Sequence, residues 1–491
     1  MTRLNNANLD QLASEVATPG YDRGAVTPGI VHIGVGGFHR AHQAMYLDAL
    51  MRRGEALDWG IVGVGVMPGD RRMQQTLAAQ DHLYTLMVKH PDGSLEPRVI
   101  GSMIDYRFAP DDPEAVIEAM ADPAIRIVSL TVTEGGYNVH PVSGDFNLED
   151  DDVRHDLAEP GAPRTSFGLV VEALARRRQR GATPFTVMSC DNIQGNGDVA
   201  RRMFGAFARA RDTGLGAWIE AEVPFPNSMV DRITPVTAPA DIEELSARFA
   251  LEDDWPVVCE PFTQWVLEDR FASGRPALDK VGVQLVENVE PYELMKLRLL
   301  NASHQALCYF GYLAGYRYAH EVCRDPLFVD FLMDYMVKEA TPTLAALPGV
   351  DLEAYRRTLI ERFANPEIKD TLARLCAESS DRIPKWLLPV ARDQLANGGD
   401  VHRAAAVVAS WARYAEGTDE NGEPIEVVDR LKDSLTAVAA VNRERPTAFI
   451  ENRELFGDLA DHPRFRDAYR ETLESLHERG ARATLGTLVR A

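Results

Sequence analysis

Cysteine is scarce in this sequence, and no two cysteines stand at the spacing of a metal or redox motif. The 491 residues contain five cysteines and no C-x-x-C pair, which disfavours both a zinc framework and a disulfide framework. We therefore expect reduced thiols in a cytoplasmic protein. The first twenty residues carry Leu4, Leu9, Leu12 and Val16 among polar residues. This pattern predicts a short surface helix, since it lacks the apolar core of a signal peptide.

Long apolar runs and an excess of positive charge are also absent. No run of eighteen or more uninterrupted apolar residues occurs, so a membrane-spanning helix is not expected. The chain carries 52 Lys and Arg against 74 Asp and Glu, a formal net charge of −22. Binding to a nucleic acid backbone needs clustered cations, so nucleic acid is not an expected partner. The length and the ordinary apolar fraction of 45% predict a globular protein of two domains.

The first half alternates between strand-like and helix-like segments. GIVHIGV, GGFHRAHQAMYLDALMRRG and WGIVGVGV follow one another from about residue 29 to 65 as strand, helix and strand. Two further apolar runs, IRIVSLTV (125–132) and PFTVMSC (184–190), end in polar or glycine-rich residues. This order predicts an α/β, Rossmann-type domain with a mostly parallel sheet, whose ligand lies beyond the carboxyl ends of the strands.

Helical patterns dominate beyond about residue 290. They include YELMKLRLLNASHQALCYFGYLAG, PLFVDFLMDYMVKEATPTLAAL and VHRAAAVVASWARYAEG, whose apolar residues recur with helical spacing. We place the domain boundary near residue 285. The sequence thus predicts a Rossmann-type domain over residues 1–285 and a mainly α-helical domain over 286–491.

A glycine-rich turn follows the first predicted strand. Gly34, Gly36, Gly37 and Phe38 lead into a helix, where glycines let the backbone approach a pyrophosphate. His39 stands where the dinucleotide fingerprint has its third glycine. The alternative is a strand-to-helix turn that binds nothing, but the position in the first βα unit favours a nucleotide cofactor.

Asp70 follows the second predicted strand and is the candidate partner of a ribose 2′-hydroxyl. A carboxylate there repels a 2′-phosphate, which favours NAD over NADP. Asp70 lies further from the glycines than the usual spacing of about 20 residues. Arg71 or Arg72 would attract a phosphate instead, so this alternative stays open. His39 and His42 have the spacing of a metal pair but no third ligand nearby, and we assign them to the cofactor-side helix.

A second cluster of polar residues lies on the helix predicted over residues 291–304. At helical spacing Glu293, Lys296, Asn301 and His304 fall within an arc of about 140°. The alternative is a solvated polar face. Oxidation of an alcohol, however, needs a base for the hydroxyl proton, and a desolvated lysine can serve.

Other polar groups fit the remaining steps of such an oxidation. Amide donors on Asn192 and Asn301 would stabilise the developing alkoxide without a metal. His304 would hold the substrate hydroxyl or orient Lys296, and Glu293 is a candidate proton relay.

Five segments together resemble the polyol-specific long-chain dehydrogenases, the mannitol dehydrogenase family. They are GVGGFHRAH (34–42), TVTEGGY (131–137), CDN (190–192), FPNSMVDRITP (225–235) and KLRLLNASH (296–304), and the resemblance covers essentially the whole chain. It implies a Rossmann-type domain, a helical C-terminal domain and a metal-free site between them. It also implies NAD as the cofactor, with Thr133 and Glu134 among the cofactor-binding residues.

The resemblance further assigns roles to individual side chains. Lys296 is implied as the general base, Asn192 and Asn301 as the pair that stabilises the alkoxide, and His304 and Asp231 as substrate-binding residues. Arg374 and Arg382 match a substrate-contacting Arg and Lys of the family. The lysine is arginine here, and a forked guanidinium has a different hydrogen-bond geometry from an ammonium.

The expected reaction is oxidation of D-mannitol to D-fructose by a monomer. Arabinitol and sorbitol are alternative substrates, and reduction of a hexuronate, which needs an extra cation for its carboxylate, is the nearest rival activity. Two rivals come from other classes. One is a nucleotide-binding protein without redox activity, and the other is a zinc-dependent alcohol dehydrogenase, which needs Cys and His ligands.

Overall fold

The structure is a computed structural model that describes residues 1–140 and 143–489. The chain divides into two compact units, Met1–Glu290 and Pro291–Ala491. Among the described residues, no helix is both long enough and apolar enough to span a membrane.

The strands of the described residues all lie in the first unit. They are β1 (Thr2–Arg3), β2 (Pro28–Ile33), β3 (Gly60–Gly65), β4 (Tyr84–Lys89), β5 (Leu95–Ile100), β6 (Met103–Phe108), β7 (Ile127–Leu130), β8 (Thr186–Ser189), β9 (Ser228–Asp231), β10 (Leu251–Glu252), β11 (Val257–Cys259), β12 (Gln264–Glu268) and β13 (Gln284–Val286). The helices of this unit are α1 (Gly37–Ala41), α2 (Gln43–Met51), α3 (Arg71–Ala79), α4 (Pro113–Ala121), α5 (Asp151–Ala158), α6 (Ser166–Gln179), α7 (Asn196–Arg211), α8 (Thr213–Glu222) and α9 (Pro239–Phe249).

The central sheet of this unit has five strands in the order β6-β3-β2-β7-β8, and every pairing in it is parallel. The adjacent strands β2 and β3 of this sheet are the two that precede and follow the glycine-rich turn in sequence. The predicted Rossmann-type domain with a mostly parallel sheet is therefore confirmed. The unit also has three smaller sheets, with the strand orders β11-β4-β5, β13-β12-β9 and β1-β10. Within them, β4 pairs with β5 and β9 with β12 in antiparallel orientation.

Alternate residues of the central strands enter two separate cores. Val31 and Ile33 of β2 pack with apolar residues of α4, α6 and α7, whereas Ile30 packs with residues of α2, α3 and β4. Because successive strand residues point to opposite faces, the sheet is covered on both sides. Such burial explains why its strands are continuous apolar runs.

The prediction for the N-terminal segment is wrong in detail. Residues 2–3 form a strand that pairs with β10, and Asn6–Gln11 form a short 3₁₀ helix. Leu4 and Val16 are buried in a third apolar cluster. The spacing of the four apolar residues therefore reflects burial at separate points of an irregular segment and not one face of a surface helix.

The second unit is mainly helical, as predicted, and has no strand among its described residues. Its α-helices are α10 (Glu290–Met295), α11 (Ala302–Leu313), α12 (Ala319–Val322), α13 (Pro326–Asp334), α14 (Leu352–Phe363), α15 (Leu372–Cys376), α16 (Ser379–Trp386), α17 (Leu388–Asn397), α18 (His402–Tyr414), α19 (Lys432–Ala439), α20 (Arg453–Phe456) and α21 (Pro463–Leu488). Two segments, Lys296–Asn301 and Tyr335–Ala340, are π-helical. Helix α11 is buried along almost its whole length and forms the centre of this unit.

Candidate active site

The glycine-rich turn sits where β2 and β7 end side by side. Gly34 has a φ of +93°, and a Cβ at this position would lie 2.2 Å from the carbonyl oxygen of Thr131. The Thr131 hydroxyl donates a hydrogen bond to the Gly34 carbonyl at 2.7 Å. Only glycine fits both the left-handed backbone and this close approach. Gly36 then caps α1, which begins at Gly37.

His39 is a buried core residue. Its ring stacks on that of His32, with centroids 3.4 Å apart and planes 11° from parallel. His32 is hydrogen-bonded to Ser129 Oγ at 2.8 Å and to Thr131 Oγ1 at 2.9 Å. Burial lowers the pKa of His32 to about 3 and that of His39 well below its usual value. The two neutral rings thus pack together between the strand and the helix that flank the glycine turn.

His42 lies on the same segment and also has a packing role. Its Nε2 is 3.0 Å from the carbonyl oxygen of Gln264, and its ring stacks on that of Phe38 with centroids 4.8 Å apart. In the part of the chain that the structure describes, no group of three or more His, Cys, Asp or Glu side chains is arranged to hold a metal ion.

A cavity of about 340 Å³ opens beside the glycine turn. Its lining residues all belong to the first unit and include Gly36, Gly37, Phe38, Asp70, Thr234 and Trp255. Asp70 Oδ2 accepts hydrogen bonds from the main-chain N–H groups of Val66 and Met67, both at 2.9 Å. These bonds fix a carboxylate at the wall of the cavity, at the carboxyl end of β3.

The arginines that follow Asp70 are engaged elsewhere. Arg71 makes a two-pronged ion pair with Asp111, with N···O distances of 2.9 and 2.5 Å. The guanidinium carbon of Arg72 lies 4.4 Å from the ring centroid of Trp255. Asp70 is therefore the carboxylate that lines the cavity, which Arg40 also lines, whereas Arg71 pairs with Asp111.

Four more predicted site residues lie at or just after the ends of strands of the first unit. Thr133 and Glu134 follow β7 and are exposed, and Asn192 follows β8 and is exposed as well. Asp231 ends β9 and is buried, with 5% of its surface exposed. Because β7 and β8 are paired neighbours, their carboxyl ends bring the Thr133 and Asn192 loops together at one edge of the sheet.

Arg232 ties the segment after β9 to neighbouring parts of the first unit. Its guanidinium donates to the carbonyl oxygen of Glu260 at 2.9 and 3.1 Å and to that of Ala41 at 2.7 Å. The Glu260 carboxylate accepts from the Ile233 N–H at 2.6 Å. This buried arginine ties the end of β9 to the last residue of α1, a link that the sequence motif did not reveal.

The polar cluster of the second unit is not a solvated face. Glu293, Lys296 and Asn301 retain only 6%, 8% and 4% of their surface exposed. His304 is half-buried and packs on the ring of Phe363, with centroids 4.5 Å apart. The regular α-helical period assumed for this helix is wrong, because Lys296–Asn301 form a π-helix.

The π-helix changes the relation between two of these residues. Its hydrogen bonds join residues five apart, as in the bond from the Ala302 N–H to the Leu297 carbonyl. Lys296 and Asn301 are also five residues apart, so they stand one π-turn from each other on the same side of the helix. Single π-turns inside α-helices are frequent at functional sites.

The two arginines predicted to contact substrate lie on neighbouring short helices. Arg374 on α15 pairs with Asp370 through Nε and Nη2, at 2.7 and 2.6 Å. Arg382 on α16 donates from Nη1 to the carbonyl oxygens of Arg374 and Leu375, both at 3.1 Å. Gln305 of α11 donates to the same Leu375 carbonyl at 3.2 Å. Arg382 therefore braces the segment that carries Arg374.

The comparisons with known proteins agree along the whole chain. The family model described as the mannitol dehydrogenase Rossmann domain matches residues 28–280, and the mannitol dehydrogenase C-terminal domain matches residues 288–477. A mannitol 2-dehydrogenase of Aspergillus fumigatus is 47% identical over 98% of each chain. One of Pyricularia oryzae is 44% identical over 98% of this chain and 96% of its own.

Two solved structures are similar over nearly their full lengths. The ternary complex of Pseudomonas fluorescens mannitol 2-dehydrogenase with NAD and D-mannitol has a TM-score of 0.88 and 47% identity, with 99% of both chains covered. A substrate-free D-sorbitol dehydrogenase has a TM-score of 0.90 and 40% identity, covering 98% of this chain and 100% of its own. The resemblance of the sequence motifs is thereby confirmed, and the chain belongs to the mannitol dehydrogenase family.

Proposed function

We propose that this chain oxidises D-mannitol to D-fructose with NAD and without a metal ion. Its family membership and its similarity to the Pseudomonas fluorescens enzyme, whose structure contains NAD and D-mannitol, support this activity. The observation that carries the chemistry is the burial of Lys296 and Asn301 one π-turn apart. A buried base next to a buried amide donor suits proton removal from an alcohol.

The residues of the first unit fit a dinucleotide. Gly34 must be glycine for the turn to form, because a Cβ there would lie 2.2 Å from the Thr131 carbonyl oxygen. Gly36, Gly37, Phe38 and Asp70 line the adjoining cavity. Asp70 is suited to accept a hydrogen bond from a ribose 2′-hydroxyl and to repel a 2′-phosphate. Thr133 and Glu134 complete the proposed cofactor-binding set. NAD, when bound, supplies the acceptor for the hydride.

The remaining residues act on the polyol. Lys296 removes the proton of the C2 hydroxyl, and the side-chain amides of Asn192 and Asn301 donate hydrogen bonds to the developing alkoxide. His304 and Asp231 hold the other hydroxyls. Glu293, three residues before Lys296 and buried like it, relays the proton onward.

A neutral substrate is favoured over a hexuronate by the ion pair of Arg374. Arg374 already pairs with Asp370, and Arg382 donates to main-chain carbonyls. A hexuronate carboxylate needs a cation that is not neutralised by the protein. Arg374 therefore suits a hydroxyl group, which accepts and donates single hydrogen bonds, better than a second anion. The carbonyl groups bonded to Arg382 do not neutralise its charge, so this argument applies to Arg374 alone.

We also propose that the two domains have different roles. Residues 1–285 bind NAD, and residues 286–491 supply the general base and the two arginines. We further propose that the protein acts as a monomer in the cytoplasm. The five cysteines are buried free thiols, which suits a reducing compartment. Light scattering coupled to size-exclusion chromatography tests the oligomeric state.

The activity is tested by NADH absorbance with NAD and a panel of D-mannitol, D-sorbitol, D-arabinitol and D-mannonate, with a chelator present throughout. We expect the highest kcat/KM with D-mannitol and little reaction with D-mannonate. A preference for D-mannonate would make the chain a hexuronate reductase. Binding of NAD without turnover on any of the four compounds would contradict the proposed activity.

A further inference from the structure

Thr133 has a backbone conformation that a threonine rarely adopts. Its φ is +65° and its ψ is 171°, a combination found almost only at glycine. The turn Glu134–Tyr137 follows directly, and Asn138 at its end is left-handed with a φ of +50°. Such conformations persist only when the surrounding structure fixes them, and they cluster at functional sites.

The side chain that fixes Thr133 belongs to Asp191. Asp191 Oδ1 accepts a hydrogen bond from the Thr133 N–H at 2.7 Å, and Oδ2 accepts one from the Val132 N–H at 3.1 Å. The Tyr137 hydroxyl lies 2.8 Å from Oδ2. Three donors from the loop after β7 thus converge on one carboxylate from the loop after β8.

Asp191 is buried, with 6% of its surface exposed. Burial raises the pKa of its carboxyl, and the hydrogen bonds from Tyr137, Thr133 and Val132 oppose that rise. A buried carboxylate is costly unless its hydrogen bonds are satisfied. The loop after β7 and the carboxylate therefore depend on each other.

The main chain of Asp191 is held by a separate set of hydrogen bonds. Its carbonyl oxygen accepts hydrogen bonds from Ile193 N–H at 2.9 Å and from Asn196 Nδ2 at 3.0 Å. Asn196 Nδ2 also donates to the Ser228 carbonyl at 2.7 Å, and the Ser228 N–H donates back to Asn196 Oδ1 at 2.9 Å. Asn192, the next residue, therefore starts from a backbone anchored to α7 and β9.

From these contacts we propose that Asp191 is a positioning residue, which locks the strained turn at Thr133 and Glu134 to the segment that carries Asn192. It would hold the cofactor-binding turn and the alkoxide-stabilising amide in fixed relation without touching substrate or cofactor. The role rests on the proposed function of Thr133, Glu134 and Asn192. A displacement of about 1 Å at such a group can cost about a hundredfold in rate.

The test is a cycle of the single and double variants of Asp191→Asn and Thr133→Gly. Asparagine matches aspartate in size but turns an amide N–H₂ towards groups that are themselves donors. Glycine adopts the conformation of Thr133 without strain, so the turn needs the carboxylate less. We expect Asp191→Asn to lower kcat/KM for D-mannitol about a hundredfold with Thr133 present. In the Thr133→Gly background, the loss should be about tenfold or less, since the strain is gone.

The dissociation constant of NAD, from tryptophan fluorescence, provides a second readout that does not depend on turnover. Asp191→Asn should weaken NAD binding more when Thr133 is present than when glycine replaces it. Asp156→Asn is the matched control. Asp156 is another buried carboxylate of the first unit, and it accepts hydrogen bonds from the N–H groups of Arg164 and Thr165 at 2.7 and 2.9 Å. Its replacement should lower the melting temperature without lowering kcat/KM.

The proposal would be overturned if Asp191→Asn lowered kcat/KM equally in the parent and Thr133→Gly backgrounds. It would also be overturned if Asp191→Asn lowered kcat/KM no more than Asp156→Asn does. If Asp191→Asn does not fold, Tyr137→Phe removes one hydrogen-bond donor to the same carboxylate. The loss of kcat/KM that it causes is then compared between the parent and the Thr133→Gly backgrounds, with the same criteria. A parent protein that binds NAD but oxidises no polyol would refute the proposed function. The role of Asp191 would then be judged from the NAD dissociation constants alone.

Discussion

Arg382 donates a hydrogen bond from its guanidinium to the main-chain carbonyl of Arg374, at 3.1 Å. A second bond of the same length goes to Leu375, so one nitrogen braces two successive carbonyls. The position that the family resemblance assigns to a substrate-contacting lysine is thus occupied by a group that supports its neighbour. This relationship decides how substitutions at Arg382 should behave.

Arg382→Ala should raise the KM for D-mannitol about tenfold with a smaller change in kcat, because Arg374 loses the support of its backbone. The KM of Arg382→Lys should fall between those of the parent and Arg382→Ala, since an ammonium can replace one of the two hydrogen bonds. Steady-state kinetics at saturating NAD measure both constants. Arg392, which donates to the Phe456 carbonyl elsewhere in the same unit, is the control: Arg392→Ala should leave KM unchanged. An unchanged KM in Arg382→Ala would contradict the role.

Gly34→Ala should weaken NAD binding by at least about a hundredfold, because the added Cβ meets the Thr131 carbonyl and the backbone is left-handed. Fluorescence titration with NAD measures the affinity. Gly54→Ala is a matched control, since Gly54 has a φ of +74° but nothing within 4 Å of the added Cβ. Its protein should bind NAD normally. Normal affinity in Gly34→Ala would show that the turn does not hold the cofactor.

Asp70→Ser should shift the ratio of kcat/KM for NADP over NAD upwards by at least about tenfold, since it removes the carboxylate that repels a 2′-phosphate. Kinetics with both cofactors at saturating D-mannitol measure the ratio. Asp111→Asn separates the alternative that Arg71 attracts the phosphate, because it removes the partner of Arg71. A larger shift in Asp111→Asn than in Asp70→Ser would favour Arg71 as the discriminating residue.

Arg176→Met should lower the free energy of unfolding at pH 7 by about 1 kcal/mol. Arg176 joins α4 to α6 by ion pairs with Glu114, Glu118 and Glu172 at 2.5 to 2.8 Å, and water screens the two glutamates on α4. Hydrogen bonds to Arg180 and Arg176 lower the pKa of Glu118 to about 2, and that to Arg176 lowers the pKa of Glu114.

The pH dependence of this effect follows from the direction of the two shifts. A glutamate whose folded pKa is lowered stabilises the fold fully above its ordinary value of 4.5 and loses that contribution as the pH falls towards 2. The difference between the parent and Arg176→Met should therefore stay constant from pH 7 down to about pH 4.5 and shrink below that value, towards pH 2. Urea unfolding followed by circular dichroism measures it, and a difference that grows on acidification would contradict the assignment.

Much of the first unit could be predicted from the sequence, because its signals are local. An apolar run before Gly34 and another after it predict the strand, turn and strand that form β2 and β3. The predicted runs at 125–132 and 184–190 each contain the observed strand. Continuous apolar runs of this kind are typical of a parallel sheet covered on both faces.

The π-helix could not be predicted, although its residues were singled out. The apolar stripe of residues 291–304 has ordinary helical spacing, and a single wider turn leaves that stripe almost unchanged. The sequence therefore indicated that Lys296 and Asn301 share a side of the helix. It did not indicate that they lie one π-turn apart or that both are buried.

Asp191 escaped sequence reasoning for a different reason. An aspartate after a strand is typical of a turn or a helix cap, and the CDN segment drew attention to Asn192. The contacts that distinguish Asp191 come from Val132, Thr133 and Tyr137, more than fifty residues earlier. A backbone conformation such as that of Thr133 leaves no trace in residue type, since threonine is not expected there.

The most direct test of the account is the turnover of Lys296→Ala with NAD and D-mannitol, measured with a chelator present and beside the NAD dissociation constant of the same protein. We expect NAD to bind with the affinity of the parent and kcat to fall by about 10²–10⁴-fold, the effect of a positioned acid–base group. Turnover close to that of the parent would remove Lys296 from the mechanism and contradict the central claim.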